Sequence, residues 1–199
     1  MSNEARHHSA LAELCQADET VLRRGRPQAV ELTECREIEL TNLRLPRHDS
    51  DARHALAEVL GIPLPMAPNT VSARPGLHAL WLSPDEWLLR AGPGPADGWA
   101  ARIEAALAGT AFFAVTEQSS AYCVLQLAGP DARDVLNAGC PLDLHPRVFG
   151  QGQCAQTLFF KFALLLRPLD GSGQAWELMV RRSHADAMAR MLLADDHFS

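Results

Sequence analysis

The chain has almost no lysine: of its 18 basic residues Lys161 is the single lysine and the rest are arginine. With 24 acidic residues the formal net charge is -6, so no electrostatic footprint for nucleic acid or an anionic membrane is present. Long apolar runs are missing too. A stretch such as Phe162 to Leu166 is far too short for a bilayer, which takes about 20 apolar residues. The opening MSNEARHHSA lacks the continuous apolar core of a secretory signal. The five cysteines, Cys15, Cys35, Cys123, Cys140 and Cys154, are odd in number and include no CxxC pair, so a cytosolic protein with free, reduced thiols is expected. Walker loops, HExxH and paired carboxylates are absent as well, which removes the usual signatures of phosphate cradling and of metal-assisted hydrolysis.

What is there is an ordinary globular composition, 47% hydrophobic and 21% charged over 199 residues, enough for one large domain or two small fused lobes. The most informative stretch runs from Tyr122 to Phe149, because its centre has a fainter copy upstream. Asp131-Ala132-Arg133, Leu136 and Gly139-Cys140-Pro141-Leu142 echo Asp51-Ala52-Arg53, Leu56 and Gly61-Ile62-Pro63-Leu64. Each copy reads as an acid in the first turn, a short apolar face and a glycine stop. In the first copy Asp49 is the cap, and Ala52, Leu56, Val59 and Leu60 form the buried stripe. In the second, Gly129 and Pro130 suit the cap and first helical position, and Gly139 suits a left-handed exit.

The remaining pattern places an extended segment at about 29 to 44 and a Pro-rich loop from Pro63 to Pro75. A hairpin follows, His78 to Leu82 and Glu86 to Arg90, around Ser83-Pro84-Asp85. A helix spans about 98 to 108 with Trp99, Ile103, Ala106 and Leu107 on one face. Strands are expected at Phe112 to Val115 and Tyr122 to Leu127, and a longer hairpin joins Thr157 to Arg167 with Ala175 to Val180 across Gly171-Ser172-Gly173. A last helix begins at Ser183, with Asp186 three residues on. The fold class is therefore α+β, two similar β-α-β-β-α lobes with antiparallel sheets. The boundaries read as an N-terminal arm at 1–28, a first lobe at 29–110 and a second at 111–199.

Candidate chemistry is sparse. Gly92-Pro93-Gly94-Pro95-Ala96-Asp97-Gly98, with Glu117 beyond it, suggests a nucleotide loop, but its third glycine is one place late and two prolines remove the N–H groups a phosphate needs. Cys140 with His145 lacks a third group to orient the imidazole, and Cys140, His145 and Cys154 lack paired-ligand spacing. His7-His8 reads as a solvated tail and Arg181-Arg182 as a solvated strand end. Neither catalytic nor metal residues are assigned. Trp81 and Trp87 flank one hairpin turn, and from Leu158 to Phe162 both strand faces are apolar apart from Lys161. Lost alternation means either a sheet covered on both sides or a docking face, so Trp81, Trp87, Phe160 and Phe162 are the candidate partner interface.

WLSPDEWLL at 81–89, VTEQSSAYCVLQLAGPDARDVLNAGCPLDLHPRVF at 115–149 and QCAQTLFFKFALLL at 153–166 together resemble the gamma subunit of heterotetrameric sarcosine oxidase, over roughly residues 35 to 195. That family is similar in fold to the folate-binding domain of the glycine-cleavage aminomethyltransferase. The resemblance implies a non-catalytic subunit of a cytoplasmic complex that demethylates sarcosine to glycine. Its alpha, beta and delta partners would carry FAD, FMN, NAD and the tetrahydrofolate site, the one-carbon unit passing to tetrahydrofolate with formation of hydrogen peroxide. Two rival readings are a stand-alone folate-binding or one-carbon module and a subunit of a related N-methyl amine demethylase.

Overall fold

The computed structural model describes residue 11, residues 21–24 in their backbone, and residues 30–92, 98–110 and 112–194. Among these the order is β1 (Val21–Arg24), β2 (Val30–Glu34), β3 (Glu39–Arg44), α1 (Ser50–Leu60), β4 (Val71–Arg74), β5 (Leu77–Ser83), β6 (Glu86–Ala91), α2 (Gly98–Ala106) and β7 (Ala114–Glu117). After a 3-10 turn at Ser119–Ala121 come β8 (Tyr122–Ala128), α3 (Ala132–Asn137), β9 (Ala155–Phe159), β10 (Phe162–Pro168), β11 (Ala175–Arg181) and α4 (Arg182–Leu192).

The strands form two sheets, ordered β4-β5-β6-β3-β7 and β9-β10-β11-β8-β2-β1. Position by position the two orders match, β9 standing for β4, β10 for β5, β11 for β6, β8 for β3 and β2 for β7. The helices match as well: α1 follows β3 as α3 follows β8, and α2 follows β6 as α4 follows β11. The α+β fold with two antiparallel sheets is thus a repeated module, and β1 is an additional sixth strand on one copy.

The sheets hold five and six strands where the β-α-β-β-α reading predicts three in each lobe. Val71–Arg74 lies in the Pro-rich passage and pairs with β5 from Val71↔Leu80 to Arg74↔Leu77; a four-residue edge strand with one large apolar side chain leaves little signal. Thr157 to Arg167 is two strands, broken at Phe160-Lys161, where Phe160 takes φ 51. The lobes are also assembled differently from the 29–110 and 111–199 division. One compact unit takes in the spans Arg36–Ser119 and Gln151–Gln156, the other Met1–Cys35, Ser120–Gly150 and Thr157–Ser199. The reason is that the extended stretch at 29–44 feeds two sheets: β2 pairs with β8 and β3 with β6. Apart from Leu11 and β1, the expected arm at 1–28 lies outside the described residues.

Local sequence explains α1 well. The Asp49 carboxylate accepts the Ala52 N–H at 3.0 Å, and Gly61 ends the helix at φ 69, donating to the Ala57 carbonyl, a conformation that costs glycine little. Ala52, Leu56 and Leu60 are buried while Val59 is half-buried. They join Leu43, Trp87, Leu89, Trp99 and Ile103 in one core, where each fully buried large apolar side chain contributes roughly 1.5 to 3 kcal/mol. The predicted face of α2 is buried at Trp99, Ile103 and Leu107, with Ala106 half-buried. Its first-turn donor is satisfied from a distance: the Glu39 carboxylate on β3 accepts the Trp99 N–H at 2.6 Å.

The second copy departs from its local cues. Asp131 sits at the cap position of α3 without a side-chain cap bond, and Gly139 is not left-handed. Asp186 does not cap α4, whose cap residue is Arg181; it pairs instead with Arg190 one turn on, at 2.8 and 3.3 Å. The Gly171-Ser172-Gly173 turn is held by the Asp170 carboxylate, which accepts the Ser172 and Gly173 N–H groups at 3.1 and 3.0 Å. Burial opposes its ionisation, but those bonds, with help from the Ser172 hydroxyl and Gln174, outweigh it and hold the carboxyl below its ordinary value.

Candidate partner interface

Lost alternation in the second half has a structural cause in the six-stranded sheet. Leu166, Leu178 and Leu125 lie in register on one face, Leu165, Met179 and Val124 on the other, and all six are buried. The second face also carries the in-register pair Arg167↔Glu177, the guanidinium Nε donating to the carboxylate at 2.6 Å. Both faces are buried along these central strands, which accounts for their continuous apolar runs but not for Leu158 to Phe162.

Of the four residues expected at an interface, the fold removes two. Trp87 is fully buried, and its indole N–H donates to the Pro65 carbonyl at 2.7 Å; it is a core residue. Phe162 is buried at the start of β10, with its ring 5.6 Å from that of His184. Trp81 pairs across the hairpin with Trp87 and is half-buried against the same core. Phe160 is the one at the surface, 41% exposed, its ring edge-on to Phe159 at 4.9 Å. Leu158, two residues earlier, is 46% exposed. The tip of the β9–β10 hairpin therefore presents Leu158 and Phe160 to solvent while Phe159 between them is fully buried.

Sequence reasoning missed the two most exposed large apolar residues among those described, Phe112 at 75% and Val148 at 59%. Alternation offered no signal for Phe112, because the predicted strand at 112–115 begins two residues late, at Ala114. Phe112 stands at the rim of an open cleft of about 360 Å³, lined also by Phe113, Leu45, Pro46, Asp85 and Glu86. β3, β6 and β7 meet there: Arg44 lies opposite both Glu86 and Ala114. The WLSPDEWLL turn shapes the cleft, the Asp85 carbonyl accepting the Leu45 N–H at 3.0 Å and its carboxylate the Arg47 N–H at 2.7 Å. Glu86 takes the Arg44 guanidinium at 3.1 Å and the Asn42 amide at 2.9 Å.

The other sequence candidates are not brought together. Cys140 Sγ lies 3.8 Å from the Thr157 hydroxyl, Cys154 Sγ donates to the Thr70 and Trp81 carbonyls, and His145 Nδ1 accepts the Arg147 N–H at 3.2 Å. Among the described residues no three His, Cys, Asp or Glu side chains form a metal-binding group. Glu117 accepts the Ser119 N–H at 2.6 Å. Arg181 stacks its guanidinium 4.8 Å from the Tyr122 ring. His7-His8 and the centre of the Gly-Pro loop, residues 93–97, lie outside the described residues. Among the described residues two carboxylates are buried, Glu34 and Glu177; Glu177 is held by Arg167 and Glu34 accepts from the Cys123 thiol at 3.6 Å.

Two antiparallel sheets built from one repeated helix-bearing module define a known class of fold. A glycine-cleavage aminomethyltransferase T from Bartonella henselae matches with a TM-score of 0.58 at 22% identity, over 83% of this chain and 46% of that one, which establishes the fold alone. The sequence is more specific. The profile described as "Sarcosine oxidase, gamma subunit family" matches residues 47–197, and the chain belongs to that family. The sarcosine oxidase subunit gamma of Corynebacterium sp. (strain U-96) is 36% identical over 72% of this chain and 68% of its own length. That of Arthrobacter sp. is 42% identical over 56% of this chain and 54% of its own length, so the alignment spans about half of that relative. In three dimensions a chain of the heterotetrameric sarcosine oxidase from Corynebacterium sp. U-96, in complex with pyrrole 2-carboxylate, matches with a TM-score of 0.76 at 34% identity, over 85% of both chains. Among the described residues no helix is long and apolar enough to cross a membrane.

Proposed function

We propose that this chain is the non-catalytic gamma subunit of a heterotetrameric sarcosine oxidase and works by docking onto larger subunits in the cytosol. The observation that carries the reading is the match over 85% of both chains to a chain of such a heterotetramer. The surface supports it: among the described residues Phe112, Val148, Leu158 and Phe160 are exposed large apolar side chains. In this reading the alpha, beta and delta partners hold FAD, FMN, NAD and the tetrahydrofolate site. The complex converts sarcosine and oxygen to glycine and hydrogen peroxide, passing the one-carbon unit to tetrahydrofolate. This chain contributes binding surface and no reacting group.

The test is co-expression with the larger subunit genes of the same genome, followed by affinity purification and a peroxide assay with sarcosine. A stable complex that oxidises sarcosine, together with a colourless and inactive isolated chain, is the expected result. A flavin band that survives with this polypeptide alone would overturn the accessory role. A monomer that ignores the larger subunits and binds tetrahydrofolate tightly would favour the stand-alone module, and a complex active only on another N-methyl amine would favour a related demethylase.

A further inference from the structure

The two copies of the module differ at one edge. On the six-stranded sheet, β1 pairs antiparallel with β2, from Val21↔Thr33 to Arg24↔Val30. The equivalent strand of the five-stranded sheet is β7, and among the described residues the order ends there. The ladder between β3 and β7 shows which of its backbone groups face outward. Gln118 donates to the Leu40 carbonyl at 2.7 Å, and residues 41 to 44 pair with 117 to 114. Bonded and non-bonded pairs alternate, so Thr116 and Ala114 bond to β3 while the N–H and C=O groups of Val115 and Glu117 point away from the sheet. Beside the start of this edge lies the cleft with Phe112 at its rim.

We infer that the edge of β7 takes a sixth strand from a larger partner subunit, an extended segment of apolar and basic residues running antiparallel to β7, with one apolar side chain in the cleft. The proposal deepens the docking reading and rests on it. The chain itself displays the backbone geometry of such an occupant: at the equivalent edge β1, Val-Leu-Arg-Arg in sequence, pairs antiparallel with β2. Charge points the same way. Arg44 is committed to Glu86 at 3.1 Å, which leaves Asp85 at the cleft and Glu117 along the edge as the acidic groups a basic segment would meet. A second copy of this chain is a poorer occupant, since each copy carries a net charge of -6 and pairing would bring two acidic edges together. Strand addition supplies affinity through main-chain bonds and specificity through the side-chain pocket.

Amide hydrogen exchange on the co-expressed complex and on the free chain tests this. The expected result is slowed exchange at Val115 and Glu117 in the complex alone. Phe112→Asp, at an exposed position that leaves the core intact, should weaken association on the order of tenfold or more; Val115→Pro, which removes an outward N–H, should do the same. Unchanged exchange at both amides in an intact complex, or full assembly by Phe112→Asp, overturns the edge inference and leaves the subunit reading standing. Failure of the wild-type chain to assemble at all overturns both. Protection of these amides in the free chain that rises with its concentration assigns the edge to a second copy and overturns the partner strand.

Discussion

Replacing Gly139 by alanine is expected to destabilise the chain, against the usual trend for a glycine at an ordinary backbone conformation. Its φ is not positive, so alanine fits the backbone and should add about 0.4 to 1 kcal/mol by restricting the unfolded chain. The added methyl, however, would lie 2.5 and 2.6 Å from Cδ2 and Cε2 of Phe160 and 2.9 Å from Cδ2 of Phe159. Phe159 is fully buried and cannot yield, and Phe160 is tied to this spot by its N–H bond to the Gly139 carbonyl at 2.8 Å. Overpacking of this kind costs about 1 to 3 kcal/mol. Three contacts under 3.0 Å put this site in the upper half of that range, so the net loss should be about 1 to 2.6 kcal/mol, or about 2 to 10 °C in Tm for a chain of this size. Urea and thermal unfolding measure it. Gly171→Ala, where nothing lies within 4 Å, is the control and should be neutral or slightly stabilising. Adding Phe160→Ala should restore part of the loss, since two of the three close contacts disappear. A Gly139→Ala variant as stable as the wild type would refute the argument.

Trp87→Ala should cost about 3 to 5 kcal/mol in urea unfolding, because the indole is fully buried and bonded to Pro65; a loss below 1 kcal/mol would contradict its core position. Asp49→Ala should cost about 1 kcal/mol through the lost cap, seen as an earlier unfolding midpoint. Glu177→Ala should cost about 3 to 5 kcal/mol by stranding Arg167, whereas Arg167→Met combined with Glu177→Leu should recover most of it; equal losses in both variants would contradict the pairing. Burial, then the Glu34 carboxylate, pushes the Cys123 thiol above its ordinary value of 9.0. The unfolded chain ionises there first and binds fewer protons, so stability contributed by this thiol is present below pH 9.0 and falls by up to about 1.4 kcal/mol per pH unit above it. Cys123→Ala should flatten that fall, and in native protein the half-buried Cys35 should alkylate before the buried Cys123, Cys140 and Cys154.

The parts of this protein legible from residue order are those whose forces are local. Asp49 and Gly61 bound α1 because a carboxylate three residues from an N–H and a left-handed glycine act within one turn. The Ser83-Pro84-Asp85 turn and the face of Trp99, Ile103 and Leu107 were legible for the same reason. The repeated Asp-Ala-Arg segment and the three specific stretches carried the family and, with it, the fold. Where those elements go depends on contacts between distant parts of the chain. Residues 29–44 read as one extended run, yet pairing partners far along the chain divide it between two sheets. Trp81 and Trp87 look alike in sequence and stand opposite each other against the same core, but only Trp87 is fully enclosed, with the Pro65 carbonyl accepting its indole N–H. Gly139 reads as a helix stop; the approach of Phe159 and Phe160, brought back by a hairpin that begins sixteen residues later at Ala155, is what requires a residue without a side chain. The outer edge of β7 beside the cleft is likewise set by pairing, because whether a backbone group finds a partner is a property of neighbours that the sequence does not name.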